Sequence, residues 1–319
     1  MPQTPDPAVA LLADVVRSGF VEGHHRGSVI ALAADGSRVF ALGVPDAPVF
    51  PRSSNKPLQA VGMLEAGLEL DGELLALACA SHSGEPFHID GVRRILAGAG
   101  LTEADLQTPP DWPVDEIAKL DLVRAGAAKA PVLMNCSGKH AAMLATCMVN
   151  GWDTATYRDP EHPLQQALLA AVERLAGEPV AATGVDGCGA PLFALSLTGL
   201  ARAFAGVATA PARTPEHRVA EAIRAHPAWV GGTRRDVTAL VAGVPGLIAK
   251  DGAEGVYAAA LPDGRAVALK VEDGTQRARP PVMVAALRAL GVDEPVLDEL
   301  AEAELLGGGR AVGSVRVAF

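Results

Sequence analysis

The chain has 319 residues, enough for two structural lobes or one large domain with an insertion. Hydrophobic residues at 49% and charged residues at 20% exclude a disordered chain, and aromatics at only 4% leave Ala, Leu and Val to build the core. A formal net charge of −10 argues against nucleic acid as the main partner, because phosphate binding needs a basic surface.

The first 16 residues carry Asp6 and Asp14 and no early Lys or Arg, so they lack the basic start of a secretory leader. No run of 18 uncharged apolar residues follows, so no membrane partner is expected. Cys79, Cys136, Cys147 and Cys188 form no C-x-x-C pair, which suggests neither a disulfide framework nor a zinc ribbon. Reduced thiols in a cytoplasmic protein are the simplest expectation.

Two apolar runs, 28–34 and 38–43, flank Asp35-Gly36-Ser37 and predict a β-hairpin. Pro45, Pro48 and Pro51 stop further pairing. From Lys56 to about Ala80 the pattern is helical. Helices are also predicted over 91–97, 139–149 and 163–176, with Thr102 capping another at 102–106. The 191–204 stretch is apolar nearly all round and reads as a buried helix, followed by a loop over 205–213. A second hairpin is predicted from 255–261 and 265–271 around Pro262-Asp263-Gly264. A helix over 281–290 and a last strand over 314–318 close the chain. Strands lie at both ends and helices between. The expected architecture is an antiparallel sheet built from both chain ends, an α/β domain over 1–50 and 235–319, with an inserted all-α helical lobe over 51–234 and the active site between them.

The sharpest local motif is Arg52-Ser53-Ser54-Asn55-Lys56-Pro57. Ser53 and Lys56 form an S-x-x-K, which at a helix start puts a lysine amine beside a serine hydroxyl. A neutral lysine there activates the serine as nucleophile, an arrangement that recurs in serine β-lactamases and penicillin-binding proteins. A serine N-cap followed by a solvent lysine gives the same spacing. Pro57 biases Lys56 away from α geometry, so the helix can begin later with Lys56 placed by a turn. Ser81-His82-Ser83-Gly84-Glu85 and Lys250-Asp251-Gly252 follow in the order those enzymes use for their second serine and their lysine motif, although S-H-S stands where they carry S-D-N.

Two further blocks, Asn135-Cys136-Ser137-Gly138-Lys139-His140 and Asp186-Gly187-Cys188-Gly189-Ala190-Pro191, carry thiols. The first is not a phosphate-binding loop: Leu133 stands where a Gly is needed and His140 where a Ser or Thr is needed. Cys136 and Cys188 with a neighbouring Lys or His could make a three-ligand metal site; two unpaired buried thiols fit the spacing as well. Cys136 with His140 four residues on is a rival nucleophile–base pair, with Lys139 able to lower the thiol pKa.

Taken with His25-Arg26-Gly27, these blocks together resemble the asparaginase II family, the rhizobial type of L-asparaginase. The resemblance implies a serine β-lactamase-like fold, usually as a homodimer, and hydrolysis of the side-chain amide of L-asparagine, a small-molecule substrate, to aspartate and ammonia. It implies Ser53 with Lys56 as a first Ser-Lys pair and Ser81 with Lys250 as a second. It also implies a zinc ion held at Cys136, Lys139 and Cys188 with Asp186 nearby, and no organic cofactor. Lysine is an unusual ligand, because its amine must be neutral. Arg52 and Asp186 have the charges to meet the substrate α-carboxylate and α-ammonium. His82, Asn135 and Glu254, which lie in or beside the blocks, are further candidate substrate contacts. The scheme has Ser53, deprotonated by Lys56, forming an acyl-enzyme that water hydrolyses. The alternatives are a zinc amidohydrolase using Cys136, Lys139 and Cys188, a non-catalytic amino-acid-binding protein, and a β-lactam or peptide hydrolase.

Overall fold

The computed structural model describes residues 9–319; residues 1–8, which hold Asp6 and the first half of the stretch read for a leader, lie outside the described residues. Strands β1 (Ala10–Arg17) and β2 (Phe20–Leu32) pair antiparallel around Ser18-Gly19, both in the left-handed region that a tight hairpin turn requires. Strand β3 (Arg38–Leu42) folds back on β2, and the Asp35 carboxylate between them accepts hydrogen bonds from the Ser37 amide and hydroxyl. The first predicted hairpin is therefore present. The two residues of β4 (Pro48–Val49) then leave this sheet for another.

A run of helices follows: α1 (Lys56–Glu65), α2 (Gly72–Ala78), α3 (Pro86–Gly98), α4 (Glu116–Arg124), α5 (Ser137–Asn150) and α6 (Pro163–Ala176). The helical run expected over 56–80 is two helices. Gly67 adopts a positive φ just past α1, and the Leu68 amide reaches back to the Met63 carbonyl, a closure that ends the helix. Thr102 caps as expected, through a capping box with Asp105, but on a short 3-10 turn (Glu103–Asp105) rather than an α-helix.

The stretch 191–204 corrects the sequence reading. It is not one helix but strand β6 (Pro191–Ser196) running into α7 (Leu197–Thr209). Strand β5 (Ala182–Val185) pairs with β6, and with β4 they form a three-stranded sheet in the order β4-β6-β5. An all-apolar run has no periodicity to separate a buried strand from a helix. The switch is made at Ser196, whose hydroxyl accepts the Gly199 amide and caps α7. Helix α7 also continues through most of the loop expected at 205–213, because Val207 and Ala208 are buried.

After α8 (Pro215–Ala225), α9 (Pro227–Val230) and α10 (Asp236–Gly243), the chain returns to strands β7 (Ile248–Asp251), β8 (Val256–Ala260) and β9 (Ala266–Val271). Then come α11 (Arg279–Ala289), α12 (Val296–Leu300), β10 (Ala303–Gly307) and β11 (Arg310–Val317). The main sheet has eight strands in the order β10-β11-β1-β2-β9-β8-β7, with β3 also paired to β2. All its pairings are antiparallel. The expected antiparallel sheet from both chain ends, with a run of helices inserted between them, is present. All five residues of β8 are buried, as both faces must be covered, and α7 and α11 both pack on β8 and β9. Among the described residues no helix is long and apolar enough to cross a membrane.

Candidate active site

Residues Arg52–Asn55 form a single 3-10 turn, and α1 begins at Lys56 with Pro57 in its first turn. Arg52 sits at φ 52°, a left-handed conformation that costs a non-glycine residue about 1–3 kcal/mol and persists only where the surroundings enforce it. The enforcement is visible: the Ser54 amide and hydroxyl both donate to the Pro51 carbonyl, and Gly252 of the Lys250-Asp251-Gly252 motif lies directly on the turn. A Cβ at Gly252 would stand 2.6 Å from the Pro51 carbonyl oxygen and 3.2 Å from the Ser54 amide nitrogen. Strand β7 is thus pressed against the Ser53 turn through a contact that only glycine permits.

Lys56 is 1% exposed. Its amine donates to the Ala80 carbonyl at 2.6 Å, the Ser81 hydroxyl at 3.0 Å and the Cys136 sulfur at 3.0 Å. No carboxylate lies within 4 Å of it among the described residues. The expected Ser53–Lys56 side-chain contact is not formed in this state. The two residues are linked by the Lys56 amide donating to the Ser53 carbonyl, while the lysine stem runs inward to Ser81. The Ser53 hydroxyl is half-buried and makes no hydrogen bond within the protein among the described residues. The hydroxyl–amine pair that the fold closes is therefore Lys56 with Ser81.

Ser81 is held from two sides. Its amide donates to Val230, the His82 amide donates to Asn135, and the Ser83 hydroxyl donates to Gly231. His82 is fully buried and points away from the lysine, with Nε2 2.8 Å from the Ser137 hydroxyl. Because Ser137 spends its own proton on the Val132 carbonyl, His82 is the donor in that contact. Burial, then the neighbouring His88 and Lys56, keep His82 neutral. Asn135 uses its side-chain oxygen to accept the Cys136 thiol and its carbonyl to hold His82.

Lys250 is fully buried on β7 and donates to the Asp251 carbonyl at 2.6 Å and the Asp251 carboxylate at 2.7 Å, not to Ser81. Burial brings its pKa down to about 8, with Lys56 pushing the same way and Asp251 opposing. Asp251 also takes Arg235 at 2.5 Å and Arg279 at 3.4 Å. Sequence reasoning missed both arginines. Arg235 lies in the segment 230–236, whose Gly-Gly followed by two arginines was the only available signal.

At the mouth, Arg52 pairs with Asp186 at 2.8 Å and faces Glu254 at 3.6 Å. The three residues expected to meet a zwitterionic substrate thus meet each other.

Cys136, Lys139 and Cys188 are all buried, and the Lys139 amine stands 3.5 Å from the Cys188 sulfur. Hydrogen bonding from Cys136, together with Lys139 and His140, draws the Cys188 thiol down into the thiolate range against its burial. Burial alone would lower Lys139, but the charge of Cys188, Cys136 and Asp186 raises it. Cys136 itself is pushed up by its bond to Cys188 and by burial, and His140 Nδ1 bonds Tyr157, so the geometry does not support a Cys136–His140 nucleophile pair. No group of three His, Cys, Asp or Glu side chains is arranged for a metal among the described residues. Two sulfurs and an amine, with the Asp186 carboxylate 3.9 Å from Cys188, are a donor set that suits zinc once Lys139 sheds its proton.

A sequence model of the family described as L-asparaginase II matches residues 13–317. The chain belongs to the L-asparaginase II family. Family membership makes it an amidohydrolase. Similar solved structures include a β-lactamase from Mycobacterium bovis, at 14% identity and TM-score 0.46 over 83% of this chain and 95% of that one. They also include the native form of Mglu, at 15% identity and TM-score 0.43 over 82% of this chain and 63% of that one. A third is EstCE1, a hydrolase with promiscuous acyltransferase activity, at 14% identity and TM-score 0.42 over 83% and 93%. No curated protein matches this chain.

Proposed function

We propose that the protein hydrolyses the side-chain amide of L-asparagine through a serine acyl-enzyme. The observation that carries this reading is the buried Lys56 amine, free of any carboxylate within 4 Å among the described residues and 3.0 Å from the Ser81 hydroxyl, one turn beyond an unbonded Ser53. Ser53, the more accessible of the two hydroxyls, attacks the carboxamide carbon, and its proton passes to Lys56 acting as the base. Ser81 keeps the Lys56 amine aimed at the cleft. The C–N bond breaks as Lys56 returns the proton to the leaving nitrogen, giving ammonia. Water then adds to the ester, its proton taken by Lys250 in its neutral form; the ester C–O bond breaks, the Ser53 oxygen takes that proton back, and aspartate leaves. The Arg52–Asp186–Glu254 trio exchanges partners with the substrate: Arg52 takes the α-carboxylate, and Asp186 and Glu254 the α-ammonium. Cys136, Lys139 and Cys188 would hold zinc, which when bound supplies a Lewis acid near the substrate.

The test is ammonia release from L-asparagine beside L-glutamine, with a chromogenic β-lactam as the rival substrate. Saturable asparagine binding without ammonia release would replace the enzyme by a binding protein.

Two predictions attach to these groups. Lys250 accepts a proton only after losing its own, so below about pH 8 the reactive fraction grows with pH. The deacylation rate should rise about tenfold per pH unit well below pH 8 and level off above it. A pH profile flat from 6 to 9 would remove Lys250 from this role. Zinc content measured by plasma emission should approach one equivalent per chain, fall to background in Cys136→Ser and Cys188→Ser, and persist in Ser53→Ala. Equal zinc in all four proteins would place the metal elsewhere.

A further inference from the structure

Lys250 is the second buried amine that the mechanism uses, and among its hydrogen bonds the only side-chain partner is Asp251, the next residue. Adjacent residues on a strand point to opposite faces, so a neighbouring pair such as Lys250 and Asp251 is not brought together by the strand itself. The structure closes the pair because both ends are fixed. The Asp251 carboxylate gives one oxygen to Lys250 and the other to Arg235 at 2.5 Å, with Arg279 at 3.4 Å. Arg279, 2% exposed, also donates to the Gly252 carbonyl at 2.5 Å, pinning the residue that touches the Ser53 turn.

Arg235 arrives from a segment that also holds the other serine. Within six residues, 230–235, the chain accepts the Ser81 amide at Val230 and the Ser83 hydroxyl at Gly231. In the same segment Thr233 donates its amide and hydroxyl to Glu85. Gly232, at φ 137°, passes so close to the Ser83 hydroxyl that a Cβ would collide with it. One strap therefore sets the position of the Ser81 loop and, five residues later, the counter-ion of Lys250.

We propose that Arg235 is a positioning residue of the active site, acting through Asp251 to fix the orientation and proton affinity of Lys250 while its own segment fixes Ser81. The inference rests on the serine–lysine reading for its effect on rate, but not for its effect on Lys250. The charged and titratable groups around Lys250 are Asp251 on its own strand, Lys56 from α1, Cys79 after α2, Arg235 ahead of α10, and Arg279 from α11 through Asp251. Removing Arg235 deletes a cation that disfavours the ammonium and frees Asp251 to favour it, so Lys250 should hold its proton to higher pH. Removing the Asp251 charge does the opposite.

The test compares Arg235→Gln, Arg235→Lys and Asp251→Asn in the full chain. With only six lysines in the sequence, Lys250 is assignable by 13Cε NMR against Lys250→Arg. The Lys250 titration should move up by about one pH unit in Arg235→Gln, return most of the way in Arg235→Lys, and move down in Asp251→Asn. For ammonia release, kcat of Arg235→Gln should fall about 30-fold with KM changed less than threefold, and the acid limb of its rate profile should follow the NMR shift. Thermal melting monitors folding of each variant. An Arg235→Gln protein that melts as wild type and titrates Lys250 unchanged overturns the proposal. So does a fall in rate matched equally by Arg235→Lys. If no protein releases ammonia but the titrations move as stated, the positioning role holds and the asparaginase reading alone fails.

Discussion

Ser53→Ala is expected to lower kcat for ammonia release from L-asparagine by about 10⁶-fold, leaving only the residual rate that binding and polarising groups supply without a covalent nucleophile. KM and the melting temperature should barely change, since the Ser53 hydroxyl makes no hydrogen bond within the protein among the described residues. Ser81→Ala should cost less, about 10–100-fold, because it removes one of three acceptors of the Lys56 amine and leaves Ala80 and Cys136 in place. Mass spectrometry after an acid quench should show an aspartyl adduct on the Ser53 peptide. The reverse ranking, with Ser53→Ala near wild type and Ser81→Ala inactive, would transfer the attacking role to Ser81, the hydroxyl that already touches an amine.

The second large effect is expected at Gly252. Its Cβ position lies against backbone, 2.6 Å from the Pro51 carbonyl oxygen, so neither partner is a flexible side-chain tip that can swing away. Gly252→Val should force β7 from the Ser53 turn, cost about 2–4 kcal/mol and lower Tm by about 5–10 °C. Because the displaced strand carries Lys250, kcat should drop about 100-fold even in the fraction that folds. Gly98→Ala is the matched control: at the end of α3 nothing lies within 4 Å of its added carbon, and its stability should hold or rise slightly. A Gly252→Val protein with wild-type melting and rate would show that the turn and strand are not pressed together in solution.

Much of the fold was legible in the sequence because its signals were local. Asp35-Gly36 and Asp263-Gly264 marked hairpins that the backbone forms. The run predicted over 163–176 coincides with α6, where proline starts the helix and Gly177 in a left-handed conformation ends it. The 191–204 stretch failed for the opposite reason: Leu, Phe and Ala in unbroken succession serve a strand or a helix equally, and pairing with β5 decides. Strands β1 and β10 went unread although each forms a hairpin with the next strand in sequence, across Ser18-Gly19 and Gly308-Gly309.

At the candidate site, residues from separate blocks come together. Lys56, Ser81 and Cys136 meet, as do Arg52, Asp186 and Glu254. The pairings inside it were not legible. A three-residue spacing suggested Lys56 beside Ser53, but Arg52–Asn55 forms a 3-10 turn, and the amine runs past Ser53 to a loop 25 residues on. Arg235 and Arg279 carried no motif at all; only the tertiary fold reveals that Asp251 needs them.

The placement of β1 has a consequence for biosynthesis. It is flanked by β2 and β11, with Ala13 opposite Val317 and Arg17 opposite Gly313. On a ribosome, residues 10–17 emerge long before residues 310–317 and wait through the synthesis of nearly three hundred others for their second neighbour. Until then one border of a hydrogen-bonded ladder is open, a template for stray strands from other nascent chains. Contacts of such wide separation also close slowly. Translation speed and holdase supply should therefore govern the yield of active protein more than the stability of the finished molecule does.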